Sequence, residues 1–174
     1  IDRINMSVNA ITTLITDLTW PSYQRILHRA ARQGSGRIKR LPIRAGILSG
    51  NLSVIEVVNL IAQRVQRTGC QGLFLPAVSH DGIRLPIAEI CREIRRFCPS
   101  VFIAIDGSQT MGQVPTNLAD VPCDMFFGGC HKWLGGYLPL GVAFFPRRAS
   151  APAASWECLA DPLSTFLRGI ESHR

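Results

Sequence analysis

Two blocks of the chain carry residue types that could do chemistry. V-F-I-A-I-D-G-S-Q spans residues 101–109, and C-D-M-F-F-G-G-C-H-K-W-L-G-G spans residues 123–136. In the first, an apolar run delivers an acid, Asp106, with Gln109 three residues on. In the second, an apolar run delivers the pair His131-Lys132. The chain has 19 Lys plus Arg, yet its only lysines are Lys39 and Lys132. Arginine cannot form a Schiff base and lysine can. A lysine beside a histidine, in an apolar and glycine-rich setting, is therefore the first residue to explain.

A Schiff-base lysine needs a neutral amine for part of its cycle, which a dry pocket favours. An ionised Asp106 could keep a proton on a ring nitrogen. The Gln109 amide can donate to a phenolate oxygen, and His131 can donate to a phosphate or stack on a ring. Lysine, acid and donors are together the protein groups that pyridoxal phosphate requires. Each has a plainer reading: Lys132 as a solvated surface lysine, Asp106-Gly107 as a turn, and Gln109 as uninformative alone. Ser79-His80-Asp81 invites a nucleophile triad, but a triad is a spatial arrangement that sequence neighbours rarely supply.

These residues must be held by elements, and the pattern alternates strand and helix. Apolar runs at 10–17, 72–78, 101–105, 123–127 and 141–145 read as strands, with a shorter one at 37–43. Pro21 suits a first helical position, and Tyr23, Ile26, Leu27, Ala30 and Ala31 follow at helical spacing. Ser53 and Glu56 form a capping box that opens a helix with Val54, Val57, Val58, Ile61 and Val65 inward, ending near Gly69. Pro86 opens a helix whose apolar stripe is Ile87, Ile90, Cys91, Ile94, Phe97 and Cys98, and Pro99 ends it. Continuous apolar strands between amphipathic helices predict an α/β fold: three layers, a mainly parallel sheet, helices on both faces. Such sheets bind ligands beyond the carboxyl ends of their strands, where His80, Asp106 and Lys132 fall.

Composition excludes several classes. A chain of 174 residues suits one core. No apolar run reaches membrane-span length, and no secretory leader precedes the fold, so the expectation is a cytoplasmic domain. The first residue is Ile rather than Met, which suggests a piece of a longer protein. Net charge is +7, but the arginines are scattered over helix faces without interleaved aromatics, which argues against a nucleic-acid platform. The six cysteines lack C-x-x-C pairing, so a disulfide framework or a metal site is not expected.

D-G-S-Q-T-M-G-Q-V-P followed by C-D-M-F-F-G-G-C-H-K-W-L-G-G resembles the central part of class V aminotransferases. These are fold-type I pyridoxal-phosphate enzymes that include cysteine desulfurases, isopenicillin-N epimerase-like proteins and kynureninases. The likeness extends back through L-F-L-P-A-V-S-H-D-G-I-R-L-P-I to L-I-T-D-L-T-W-P-S-Y. It implies that Lys132 is the Schiff-base lysine and general acid-base, that Asp106 pairs with the pyridine nitrogen, and that Gln109 contacts the phenolate oxygen. It places His131 in the phosphate cup and His80 in the loop beside the ring. Trp20 falls where relatives place a residue stacked on that ring; alternatively it is a hydrophobic staple ahead of Pro21. The substrate implied is an amino acid, and the assembly implied is a homodimer.

There are departures. Relatives commonly carry Ser or Thr two residues before the histidine, where this chain has Gly129, and the loop after His80 looks shortened. Relatives are also longer, with a phosphate-binding Gly/Thr loop upstream and a substrate-carboxylate Arg downstream. Residues 1–148 are expected to form the central part of the cofactor-binding large domain, and 149–174 a linker and the start of a C-terminal region. Cys158 sits too soon after Lys132 to serve as the desulfurase nucleophile. The alternative reading is a truncated family member with the fold and no complete active site.

Overall fold

The computed structural model of the chain describes residues 11–34, 36–137 and 140–146. Ala10, Cys158, the segment 149–174 and the apolar stretch within it lie outside the described residues. The elements run in chain order as strand β1 (Thr12–Thr16), helix α1 (Pro21–Gln33), β2 (Arg37–Leu41), short helix α2 (Arg44–Leu48), α3 (Val54–Thr68), β3 (Gly72–Pro76), α4 (Ile87–Phe97), β4 (Phe102–Asp106), β5 (Met125–Gly129) and β6 (Gly141–Phe144). The strands form one sheet in the order β2-β1-β3-β4-β5-β6. The first four pairings are parallel and β5–β6 is antiparallel.

Side chains alternate across the sheet, as the pleat requires. Leu14, Leu73, Leu75, Ile103, Ile105 and Phe126 point to one face, where α3 and α4 cover them with Val57, Ile61, Val65, Ile90, Cys91 and Ile94. Ile15, Phe74, Ala104 and Met125 point to the other face, packed by Tyr23 and Leu27 of α1. Each fully buried aliphatic side chain contributes about 1.5–3 kcal/mol relative to exposure. The expected three-layer arrangement is therefore present, with helices on both faces of a mainly parallel sheet.

Local signals set several boundaries. Pro21 occupies the first turn of α1, where its missing N–H costs nothing. The Ser53–Glu56 capping box forms in full, with Glu56 accepting from the Ser53 backbone at 2.7 Å. Gly69 closes α3 in the left-handed conformation, φ 56°, which glycine adopts without a Cβ penalty. Three details differ from the sequence reading. Val54 is exposed because it is the first residue of α3 and precedes the turn that meets the sheet. Phe97 is exposed because α4 ends there, beyond the strand it covers. Helix α2 was not expected; Asp17 caps it from a distance, its carboxylate accepting from the backbone N–H groups of Ile43 and Arg44. That partner lies 26 residues upstream of Ile43, so no local pattern announces it.

Candidate active site at the carboxyl ends of the strands

The parallel strands deliver the candidate residues to one edge of the sheet. Trp20 follows β1, His80 follows β3, Asp106 ends β4, and His131-Lys132 follows β5. The strand ends are tied laterally. The Asp106 carbonyl accepts from Ala77 N–H at 2.8 Å, and Gly107 N–H donates to the Phe127 carbonyl at 2.7 Å. Gly107 permits this closeness, since a Cβ there would overlap the Phe126 ring.

Asp106 is 7 % exposed. One carboxylate oxygen accepts from Ser108 N–H at 2.9 Å. Burial pushes its carboxyl above the ordinary carboxylate range, while the hydrogen bonds from Ser108 and the positive charge of Lys132 pull it partly back. Lys132 thus lies close enough to Asp106 for its charge to act on that carboxyl. A buried, raised carboxyl of this kind is suited to meet an incoming cationic ring nitrogen, which would hold it ionised.

Lys132 itself is exposed, as are His131, Trp133 and Leu134. The dry pocket expected around Lys132 is not supplied by the described residues. The apolar neighbours that suggested enclosure face solvent here, with Trp133 51 % and Leu134 50 % exposed. The His131 ring folds back over Gly129: a Cβ at position 129 would come 2.5 Å from its Cε1 and 2.7 Å from its Nδ1. The missing Ser or Thr hydroxyl and the histidine are therefore linked, because the ring fills the space that such a side chain would need.

Gln109 sits in the turn after β4, where Thr110 and Met111 donate backbone N–H groups to the Gly107 carbonyl. Its side-chain oxygen accepts from the Trp133 indole N–H at 3.1 Å. The two motif blocks thus touch directly. Trp20 is 46 % exposed and meets Tyr23 edge-on, with ring centroids 5.3 Å apart. It stands at the residue before Pro21 and makes no side-chain cap. His80 is exposed. Its neighbours do not form a triad with it: Ser79 donates to Asp81 and accepts from Ile83 N–H, and Asp81 pairs with Arg44. Ser79 and Asp81 are thus engaged in holding the loop that carries His80.

Helical spacing places Tyr23 only at an apolar position of α1, and the structure sets its phenol where the charge of Asp106 acts on it. It packs against Phe74 and Phe127. Burial raises its phenol pKa, the charge of Asp106 raises it further, and a hydrogen bond with the Ser108 side chain opposes both. Its position beside a catalytic-looking acid depends on how α1 crosses the sheet, which helical periodicity does not encode. A groove of about 530 Å³ is lined by Met111, Val114, Phe126, Leu134 and Phe144 among others. None of the six candidates lines it. Among the described residues no group of His, Cys, Asp and Glu could hold a metal ion.

The family model described as "Aminotransferase class-V" matches residues 13–164. The isopenicillin N epimerase of Amycolatopsis lactamdurans is 41 % identical over 71 residues, covering 41 % of this chain and 17 % of that protein. An L-cysteine desulfhydrase-like protein of Epichloe uncinata is 33 % identical over 67 residues, covering 38 % of this chain and 14 % of that protein. The structure of the cystine C-S lyase C-DES with its product cysteine persulfide superimposes with a TM-score of 0.60 and 21 % identity, covering 78 % of this chain and 35 % of that one, a likeness of fold alone. The chain spans less than a fifth of the length of these two curated relatives.

Proposed function

Because the chain belongs to the class-V aminotransferase family, a family of pyridoxal-phosphate-dependent enzymes, we propose that it supplies the central part of an active site working on the amino group of an amino acid. The observation that carries this reading is the placement of a buried acid, Asp106, at the end of β4, on the same carboxyl edge of the sheet to which β5 delivers His131-Lys132. The residues fit the cofactor. Asp106 would hold the ring nitrogen, Gln109 would donate to the phenolate oxygen, and His131 would donate to the phosphate. Trp20 would lie against the ring, with His80 beside it.

Pyridoxal phosphate, when bound, supplies an electron sink for charge that develops next to the substrate nitrogen. The chain's own residues do the rest. Lys132 Nζ would bond the cofactor covalently and, once released by the substrate amine, would take and return a proton at Nζ. Asp106 would keep the ring-nitrogen proton in place by remaining ionised against it. Transamination, epimerisation and carbon–sulfur lysis share these steps, and the relatives named above include an epimerase and a C-S lyase. A homodimer in the cytoplasm is part of the proposal. No helix among the described residues is long and apolar enough to cross a membrane.

The test is absorbance of the full-length protein after addition of pyridoxal phosphate. A visible band that is lost in Lys132→Ala supports the assignment, and a protein that takes up no cofactor sinks it. The exposure of Lys132 favours a second reading for the isolated 174 residues: the fold without a complete active site. That reading predicts no stable band in the isolated chain alongside a normal one in the full-length protein.

A further inference from the structure

We infer that Trp133 is a positioning residue that sets the polarity of the Gln109 amide, so that its N–H groups rather than its oxygen face the cofactor. This rests on the reading of Lys132 and Gln109 given above. An indole N–H can only donate, so the group it meets on Gln109 must be the amide oxygen, as observed at 3.1 Å. With the oxygen engaged, the amide presents its two N–H donors elsewhere. Those donors suit an anionic oxygen such as a phenolate. The reverse orientation would set one negative oxygen against another.

The contact is built into the backbone. Gln109 lies in a tight turn whose Thr110 hydroxyl and backbone N–H both donate to the Gly107 carbonyl, at 2.9 and 2.8 Å. Gly112, at φ 80°, closes that turn against the 133–134 segment. A Cβ there would stand 3.2 Å from the Trp133 carbonyl oxygen and 2.8 Å from Leu134 Cδ2. A side chain at 112 would therefore push Trp133 away from Gln109, and the left-handed backbone disfavours one in any case. Lys132 is the residue next to Trp133, so the same segment that presents the amine also orients the amide.

The experiment compares Trp133→Phe, Gln109→Leu and the double variant in the full-length protein loaded with pyridoxal phosphate. Two quantities are read: the cofactor dissociation constant, and the pH midpoint of the cofactor's visible absorbance change. Hydrogen bonds to charged groups contribute about 1.5–3 kcal/mol, so losing a fixed donor predicts a dissociation constant raised roughly tenfold or more. Without a donor on the anionic oxygen the site holds its proton more tightly, so the midpoint moves to higher pH in both single variants. Trp133→Phe should add nothing once Gln109 is Leu, because Trp133 acts through Gln109. An unchanged midpoint in Trp133→Phe overturns the inference, and so does a Trp133→Phe shift of equal size in the Gln109→Leu background. Retention of a Lys132-dependent band in these variants shows that such a failure belongs to the inference alone. Absence of any band in the unaltered protein overturns the functional reading and this inference together.

Discussion

Two acids are buried on the same pair of strands, at opposite ends. Asp124, just before β5, is 3 % exposed; Asp106, the last residue of β4, is 7 % exposed. Asp124 is held on every side the structure describes. It accepts from Arg95 Nη2 at 2.6 Å and from Ile103 N–H at 2.6 Å. Arg95 in turn donates to the carbonyls of Pro122, Pro99 and Val101. Among the described residues the Asp106 carboxylate is held by Ser108 alone, through its backbone N–H and its side chain, and shares its surroundings with an exposed lysine and a half-buried phenol. Equal burial therefore serves different ends. At the amino edge, a permanent guanidinium compensates the charge and ties α4 to β4 and β5. At the carboxyl edge, compensation is incomplete, which leaves the carboxyl raised.

This contrast can be tested by altering each end. The largest effect is expected from Arg95→Ala, which strands the Asp124 charge in the interior. Removing one partner of a buried pair costs about 3–5 kcal/mol, to be read from the denaturant midpoint, and a loss below 1 kcal/mol would remove the structural role. Gly107→Ala comes next, because its methyl must displace the Phe126 ring. Overpacking of this kind costs about 1–3 kcal/mol, and it should also weaken cofactor binding by moving Asp106. Ser53→Ala, remote from both acids, removes the capping hydroxyl of α3 and should cost about 1 kcal/mol with cofactor binding unchanged. It calibrates how a purely local loss reads out.

The smallest effect on stability is expected from Asp106→Asn, and its sign is opposite. Burial raises the Asp106 pKa, so across the window between the ordinary and the raised value the folded chain holds a proton that the unfolded chain has released. Stability contributed by this carboxyl is present at low pH and falls as pH rises through that window. At neutral pH the ionised form is a cost. Asp106→Asn should therefore raise the melting temperature of the cofactor-free protein at pH 7, with the gain vanishing at pH values below the ordinary carboxylate range. A variant less stable than the parent at pH 7 would show that Asp106 is compensated as fully as Asp124.

Much of this was legible in the residues. Apolar runs marked the strands because parallel strands buried on both faces leave no polar positions, as in β3 with all five residues buried. The capping box, Pro21 and Gly69 acted through neighbours a few residues away, so their signals were local. Asp106, Gln109 and Lys132 stood out because a residue type at a strand end reports directly on the sheet edge it will occupy. Other features had no such local trace. Asp124 reads in sequence as one more acid before a strand, and its pairing with Arg95 spans 29 residues.

The sequence by itself determined which side chains arrive at the carboxyl edge, because strand periodicity and chain order settle where each strand ends. Only the tertiary structure decided what those side chains meet there. Tyr23 reaches Asp106 through the crossing of α1 over the sheet. Trp133 reaches Gln109 because Gly112 lets two loops close on each other. Lys132 is exposed because the described residues provide no cover for it. Each depends on which surfaces pack together across long separations, and packing of that kind is a property of the folded whole.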